Sequence, residues 1–168
     1  KGSINFNKYP NILLENINVS GNNQEFGING SVSSKDIDLK INTKSVDAGI
    51  ITDIFNLPFD MEGPIDIDLT AKGTVLKPLM DLKATSKKGN IFNISYTSLN
   101  INAVSKNNII DIKEFHIDKK GEYKTSITGT CPFWLDPKLR KKMQDEKINI
   151  KYEFTDDKCG LFKEYTQE

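Results

Sequence analysis

The 168-residue sequence predicts a mainly β protein, built on a long antiparallel sheet with a few short helices. Three observations carry this expectation. Apolar and polar residues alternate with a period of two along most of the chain. Short clusters of Asn, Gly, Lys and Ser punctuate the alternation at hairpin spacing. Helical periodicity is confined to a few brief stretches.

The strand candidates follow in order. Phe26 to Val32 alternates with glycines let in, Ile37 to Asn42 alternates cleanly, and Ile65 to Thr70 does so again. Phe92 to Tyr96, Leu99 to Ala103, Ile110 to Lys113, Tyr123 to Ile127 and Ile148 to Tyr152 complete the set. Between them lie Ser20-Gly21-Asn22-Asn23, Ser33 to Asp36, Lys87 to Asn90, Lys106-Asn107-Asn108 and Lys119 to Glu122. Such clusters supply the positive φ angles that tight reversals demand. The spacing leaves room for about eleven strands joined mostly by hairpins. Strands buried on both faces would read as continuous apolar runs, so alternation implies that each buries only one face.

Three short helices are expected. Asp47 to Phe55 has an N-cap residue followed by Ile50, Ile51 and Ile54. Asp136-Pro137 is a helix-start signal, and a third helix begins near Cys159.

Lys and Arg (23) balance Asp and Glu (23), so no global field favours nucleic acid or an anionic surface. A hydrophobic share of 37% is low for a closed globule and suits a one-sided sheet. No run reaches the roughly 20 apolar residues of a membrane helix, and no signal segment is present. The chain opens on Lys1-Gly2-Ser3 without Met and enters alternation at once, as a segment of a longer protein would. Any anchoring signals are then expected outside it. Cys131 and Cys159 do not define a disulfide framework. They read as two small apolar residues, a single bridge in an oxidising compartment being the alternative.

The chain also matches itself without gaps at an offset of about 111 residues. Ile37, Leu39 and Ile41 fall on Ile148, Ile150 and Tyr152, and Ala48-Gly49-Ile50-Ile51 falls on Cys159-Gly160-Leu161-Phe162. One whole unit would occupy about 37–147, with a second starting at about 148.

The stretch Phe59 to Pro78, with Gly63-Pro64 before the alternation and Gly73-Thr74-Val75-Leu76-Lys77-Pro78 after it, and preceded by a short helix, resembles a recurring signature of the TamB/AsmA-like family. Gly129-Thr130-Cys131-Pro132-Phe133 resembles that family's exit motif. With the repeat, the resemblance covers the whole chain, although the motifs are degenerate. It implies a β-taco, a long sheet curled into an open apolar groove. It also implies a periplasmic segment of an inner-membrane-anchored parent that moves phospholipid toward the outer membrane, or a plastid-envelope relative in a eukaryote. An Omp85-family outer-membrane partner is implied too. The alternative function is a scaffold for outer-membrane protein insertion, acting on such a partner by strand addition. A closed β-sandwich spacer is a third reading.

An acyl chain in water costs about 0.8 kcal/mol per CH₂, on the order of 13 kcal/mol for sixteen carbons. An apolar groove removes that cost without catalytic chemistry. The expected groove residues are Phe26, Ile28, Val32, Ile37, Leu39, Ile41, Ile65, Ile67, Leu69, Phe92, Ile94, Tyr96, Leu99, Ile101, Ile110, Ile112, Tyr123, Ile127, Ile148, Ile150 and Tyr152. The plain alternative is the dry core of a sandwich.

Other features point less far. His116 is the only histidine and reads as a strand-face residue. Asp66 and Asp68 share a face, solvated opposite Ile65 and Ile67 rather than holding a hard cation. Lys138, Arg140, Lys141 and Lys142 read as a solvated helix face, with lipid phosphate as the sharper option. Trp134 reads as a packing cap rather than an interfacial anchor. Asn18-Val19-Ser20, Asn29-Gly30-Ser31 and Asn93-Ile94-Ser95 match the glycosylation pattern, as chance allows in an Asn-rich chain. No P-loop, Rossmann glycine pattern, nucleophile elbow or zinc spacing occurs, so neither enzyme nor cofactor is expected.

Overall fold

The computed structural model describes residues 2–8, 11–55, 60–132 and 147–156. It is mainly β: thirteen strands and one short helix among the described residues. A four-strand meander comes first: β1 (Ser3–Lys8), β2 (Asn11–Gly21), β3 (Gln24–Val32) and β4 (Asp36–Asp47). After the helix α1 (Ala48–Phe55) and the short β5 (Met61–Glu62) come β6 (Pro64–Thr74) and β7 (Lys77–Ser86). Two more short strands, β8 (Gly89–Ile91) and β9 (Ile94–Tyr96), precede β10 (Ser98–Lys106), β11 (Ile109–Lys119), β12 (Tyr123–Pro132) and β13 (Asn149–Asp156). Ten strands form one antiparallel sheet in the order β1-β2-β3-β4-β6-β7-β10-β11-β12-β13, and β5-β8-β9 form a second. Neither sheet is strongly curled.

The turns have the backbone their residues favour. Asn22 and Asn23 both have positive φ (51° and 65°), as do Asn107 and Asn108 (53° and 63°). These are two-residue hairpin turns, closing Gly21 on Gln24 and Lys106 on Ile109. At Ser33 the hydroxyl accepts the N–H groups of Lys35 (3.1 Å) and Asp36 (2.8 Å), turning the chain without glycine.

Four strands carry a bulge where the alternation skips a beat, β1 among them between Asn5 and Lys8. Leu14 pairs with Gly30 and Ile17 with Ile28, so β2 spends three steps on two of β3. The same happens from Thr43 to Val46 against Ile67 and Ile65, and from Ile112 to Phe115 against Gly129 and Ile127. Each extra residue restores the phase of the strand, keeping later apolar side chains on the original face. The β4 bulge shows how the freed backbone groups are satisfied. Thr43 Oγ1 accepts from the N–H of Ile67 (2.9 Å) and lies 3.5 Å from the carbonyl of Ile65. The N–H of Ser45, at φ 53°, donates to Asp66 Oδ1 (2.6 Å).

The small sheet and α1 lie against one end of the large sheet. Asp47 caps the helix, its Oδ1 accepting from the N–H of Gly49 (2.9 Å). Ala48 and Thr52, one turn apart, are buried, whereas Ile50 is 48% exposed. Of the expected face of Ile50, Ile51 and Ile54, Ile50 is thus exposed, and the side chains of the other two lie outside those described. The core gathers Ala48, Met61, Ile91 and Tyr96 from this cap with Ile65, Ala84, Leu99, Ile117 and Tyr123 from the large sheet. Two phenols stitch the layers together: Tyr96 Oη donates to Ser86 Oγ (3.2 Å) and Tyr123 Oη to the Ser95 carbonyl (2.6 Å). Within the small sheet, β8 lies so close to β5 that a Cβ on Gly89 would be 2.1 Å from the carbonyl oxygen of Glu62.

Candidate functional site

Residues directly paired across an antiparallel ladder share a face, so the register assigns every side chain to one side of the large sheet. One row runs Ile17, Ile28, Ile41, Leu69, Leu82, Ala103, Ile112, Gly129, Ile150. The row beside it runs Val19, Phe26, Thr43, Ile67, Ala84, Ile101, Phe115, Ile127, Tyr152. Both cross nine strands. A row of the opposite face reads Asn18, Gly27, Asn42, Asp68, Lys83, Asn102, Glu114. The large sheet thus has one predominantly apolar face and one polar face.

All but four of the expected groove residues stand on the apolar face. Phe92, Ile94, Tyr96 and Ile148 do not. Phe92 and Asn93 have φ of 52° and 62° and form the turn between Ile91 and Ile94, so Phe92 is at a hairpin tip and 55% exposed. The expected strand there is two short strands around that turn. Ile94 and Tyr96 belong to the small sheet, and Tyr96 is buried. Ile148 precedes the start of β13 and is 65% exposed.

Burial divides the face. Ile65, Leu99, Ile117 and Tyr123 are shut beneath the cap and line nothing open. Ala71, Pro78 and Ser105 are buried toward the other end of the central strands. Between and beside them, Ile28, Leu39, Ile41, Leu69, Leu82, Ala103 and Ile112 are half-buried. Val19, Ile150 and Tyr152 are exposed on the flanks. At the ends of β2, β3 and β4 a depression of ≈ 400 Å³ is lined by Val19, Phe26 and Thr43 together with Asn18, Glu25 and Lys44.

The polar face is laced by solvated pairs. Lys44 meets Glu25 at 3.6 Å, Lys72 meets Asp38 at 3.8 Å, and Lys124 meets Asp118 at 3.9 Å. Exposed pairs of this kind contribute about 0–1 kcal/mol each. Asp68 accepts from the Asn42 side chain and Asp66 from Ser45, so both carboxylates have strand partners. No group of His, Cys, Asp and Glu suited to a metal ion occurs among the described residues. His116 sits on this face, half-buried between Asn100 and Ser126. Cys131 is a free thiol on the apolar face, and partial burial raises its pKa above the ordinary thiol value. The helices expected from Asp136 and Cys159, the basic cluster at Lys138 to Lys142, and Trp134 lie outside the described residues. None of the described helices is long and apolar enough to cross a membrane.

Sequence reasoning missed Ile12, Leu14, Ile17 and Val19 on β2, Met80, Leu82 and Ala84 on β7, and Phe115 and Ile117 beyond the β11 bulge. The signal for the bulged strands was present as apolar pairs three apart, Leu14 with Ile17 and Ile112 with Phe115. Comparison with family models, with curated proteins and with solved structures found no match for this chain.

Proposed function

We propose that this sheet is a section of a lipid-conducting groove, in which the apolar face shields acyl chains of phospholipid moving between two membranes. The observation that carries the reading is the register: apolar side chains from consecutive strands fall into two rows on one face, interrupted only at Gly129 and Thr43. Ten strands at about 4.8 Å spacing give a surface about 43 Å across. Many of its aliphatic residues are only half-buried, which costs folding energy unless an apolar guest covers them. Headgroups would stay in water at the rim. The flanking strands β1, β2 and β13 supply the margins of this surface, with Ile4, Val19, Ile150 and Tyr152 exposed on the apolar face.

The test places a photoreactive amino acid at Leu82 or Ile112 on the apolar face, and at Lys83 or Lys40 on the polar face, in chains purified with phospholipid. Crosslinks to acyl chains are expected from the first pair and absent from the second. Equal labelling of both faces, or none at Leu82 and Ile112, overturns the reading.

A further inference from the structure

The register of β2-β3-β4 recurs in β11-β12-β13. In the first set Ile28 pairs with Ile41, Gly30 with Leu39 and Phe26 with Thr43. In the second Ile127 pairs with Tyr152, Gly129 with Ile150 and Thr125 with Phe154. Each β12 residue lies 99 positions after its β3 counterpart (Ile28 to Ile127), and each β13 residue 111 after its β4 counterpart (Ile41 to Tyr152). The bulges coincide as well. Leu14 and Ile17 flank one opposite Gly30 and Ile28, and Ile112 and Phe115 flank the other opposite Gly129 and Ile127.

The glycines have the same reason to be there. Gly30 has φ +130° and Gly129 φ +136°, a region that side chains rarely adopt. A Cβ on Gly30 would strike the backbone of Asp38 and Leu39, and one on Gly129 that of Asn149 and Ile150. These contacted residues are themselves equivalent. Strand order, bulge and glycine conformation agree at once, which makes β2–β4 and β11–β13 two copies of one unit.

The copies differ at their outer edge. The outer side of β4 is paired by β6, with Leu39 on Ala71, Ile41 on Leu69 and Thr43 on Ile67. No strand pairs with the outer side of β13 among the described residues. The exposures follow: Leu39 and Ile41 are half-buried, whereas their equivalents Ile150 and Tyr152 are 46% and 56% exposed. We infer that the outer edge of β13, over Asn149 to Thr155, is a docking edge for a partner strand of the β6 type, which pairs with the equivalent edge of β4. The guest strand would run antiparallel, with apolar residues at every second position facing Ile150, Tyr152 and Phe154. This inference does not rest on the lipid reading.

The experiment uses the 168-residue chain and a fluorescent synthetic peptide of residues 64–74, the sequence of β6 itself. Saturable binding is expected, and a spin label at peptide position 68 should broaden amide signals of β13 but not of β1. A strand docked on one edge uses the N–H groups of alternate residues only. N-methylation of one alternate set should therefore weaken binding at least tenfold, while methylation of the other set leaves it within about twofold. Absence of binding overturns the inference. So does binding that ignores which set is methylated, which would place the peptide on the apolar face, or broadening at β1.

Discussion

The backbone N–H of Ser45 donates to Oδ1 of Asp66 across 2.6 Å, so a side chain supplies the bond that the bulged strand cannot obtain from a neighbouring backbone. Asn16 at the β2 bulge uses the same device, its N–H donating to Asn29 Oδ1 (3.1 Å). Both acceptors sit on the polar face of the adjacent strand. A solvated position can recruit water in part, so Asp66→Ala is expected to cost about 1 kcal/mol. Asp66→Asn keeps the oxygen and should stay within about 0.5 kcal/mol of the parent. Urea unfolding of both variants measures the difference.

The apolar face should divide energetically as it does geometrically. Leu99 is fully buried beneath the cap, and Leu99→Ala is expected to cost about 2–5 kcal/mol by loss of contact and creation of a cavity. Ile150, 46% exposed on the flank, should lose less than about 1 kcal/mol on the same truncation. Similar losses at the two sites, read from denaturant midpoints at constant slope, would show that the flank is as tightly packed as the cap.

Phe92 takes the first position of a turn whose two residues have positive φ, where Asn or Gly is favoured and a bulky aromatic is strained. Phe92→Asn is therefore expected to stabilise the chain by about 1 kcal/mol. A rise in the thermal midpoint checks this, and a fall would mean that the ring contributes more in place than its backbone strain costs.

Burial raises the pKa of Cys131 because desolvation disfavours the thiolate. The thiolate population at a given pH is thus lower in the folded chain than in the unfolded one. Iodoacetamide should alkylate Cys131 more slowly than the same thiol in urea, with the native rate rising at higher pH than that of an ordinary cysteine. Mass spectrometry at that site gives both rates.

Much of this architecture was legible in the residues. Alternation located β3, β4, β6, β10 and β12, and the Asn-Asn pairs located two turns. Asp47 correctly announced α1. The reading faltered where three-dimensional pairing overrides local pattern. Bulges interrupt β2 and β11, so a strict period of two cannot follow Leu14 to Ile17 or Ile112 to Phe115. In β7, Leu79 adds a large apolar side chain on the polar face beside Met80, which blurs the alternation. At Phe92 an aromatic residue in apparent strand phase occupies a turn, because the two-residue hairpin needs a reversal there whatever its side chains prefer. The candidate surface was readable as a set of residues, but not which of them the cap would seal. That depends on the β5-β8-β9 sheet, whose strands of two or three residues are too short to show a period.

The equivalent strands β3 and β12 stand six places apart in the large sheet, about 29 Å at ordinary strand spacing. A scaffold assembled from such modules acts as a ruler graduated in that increment. Its span is set by how many modules are inherited rather than by fine adjustment of any one of them, so gain or loss of a module would change reach in a discrete jump.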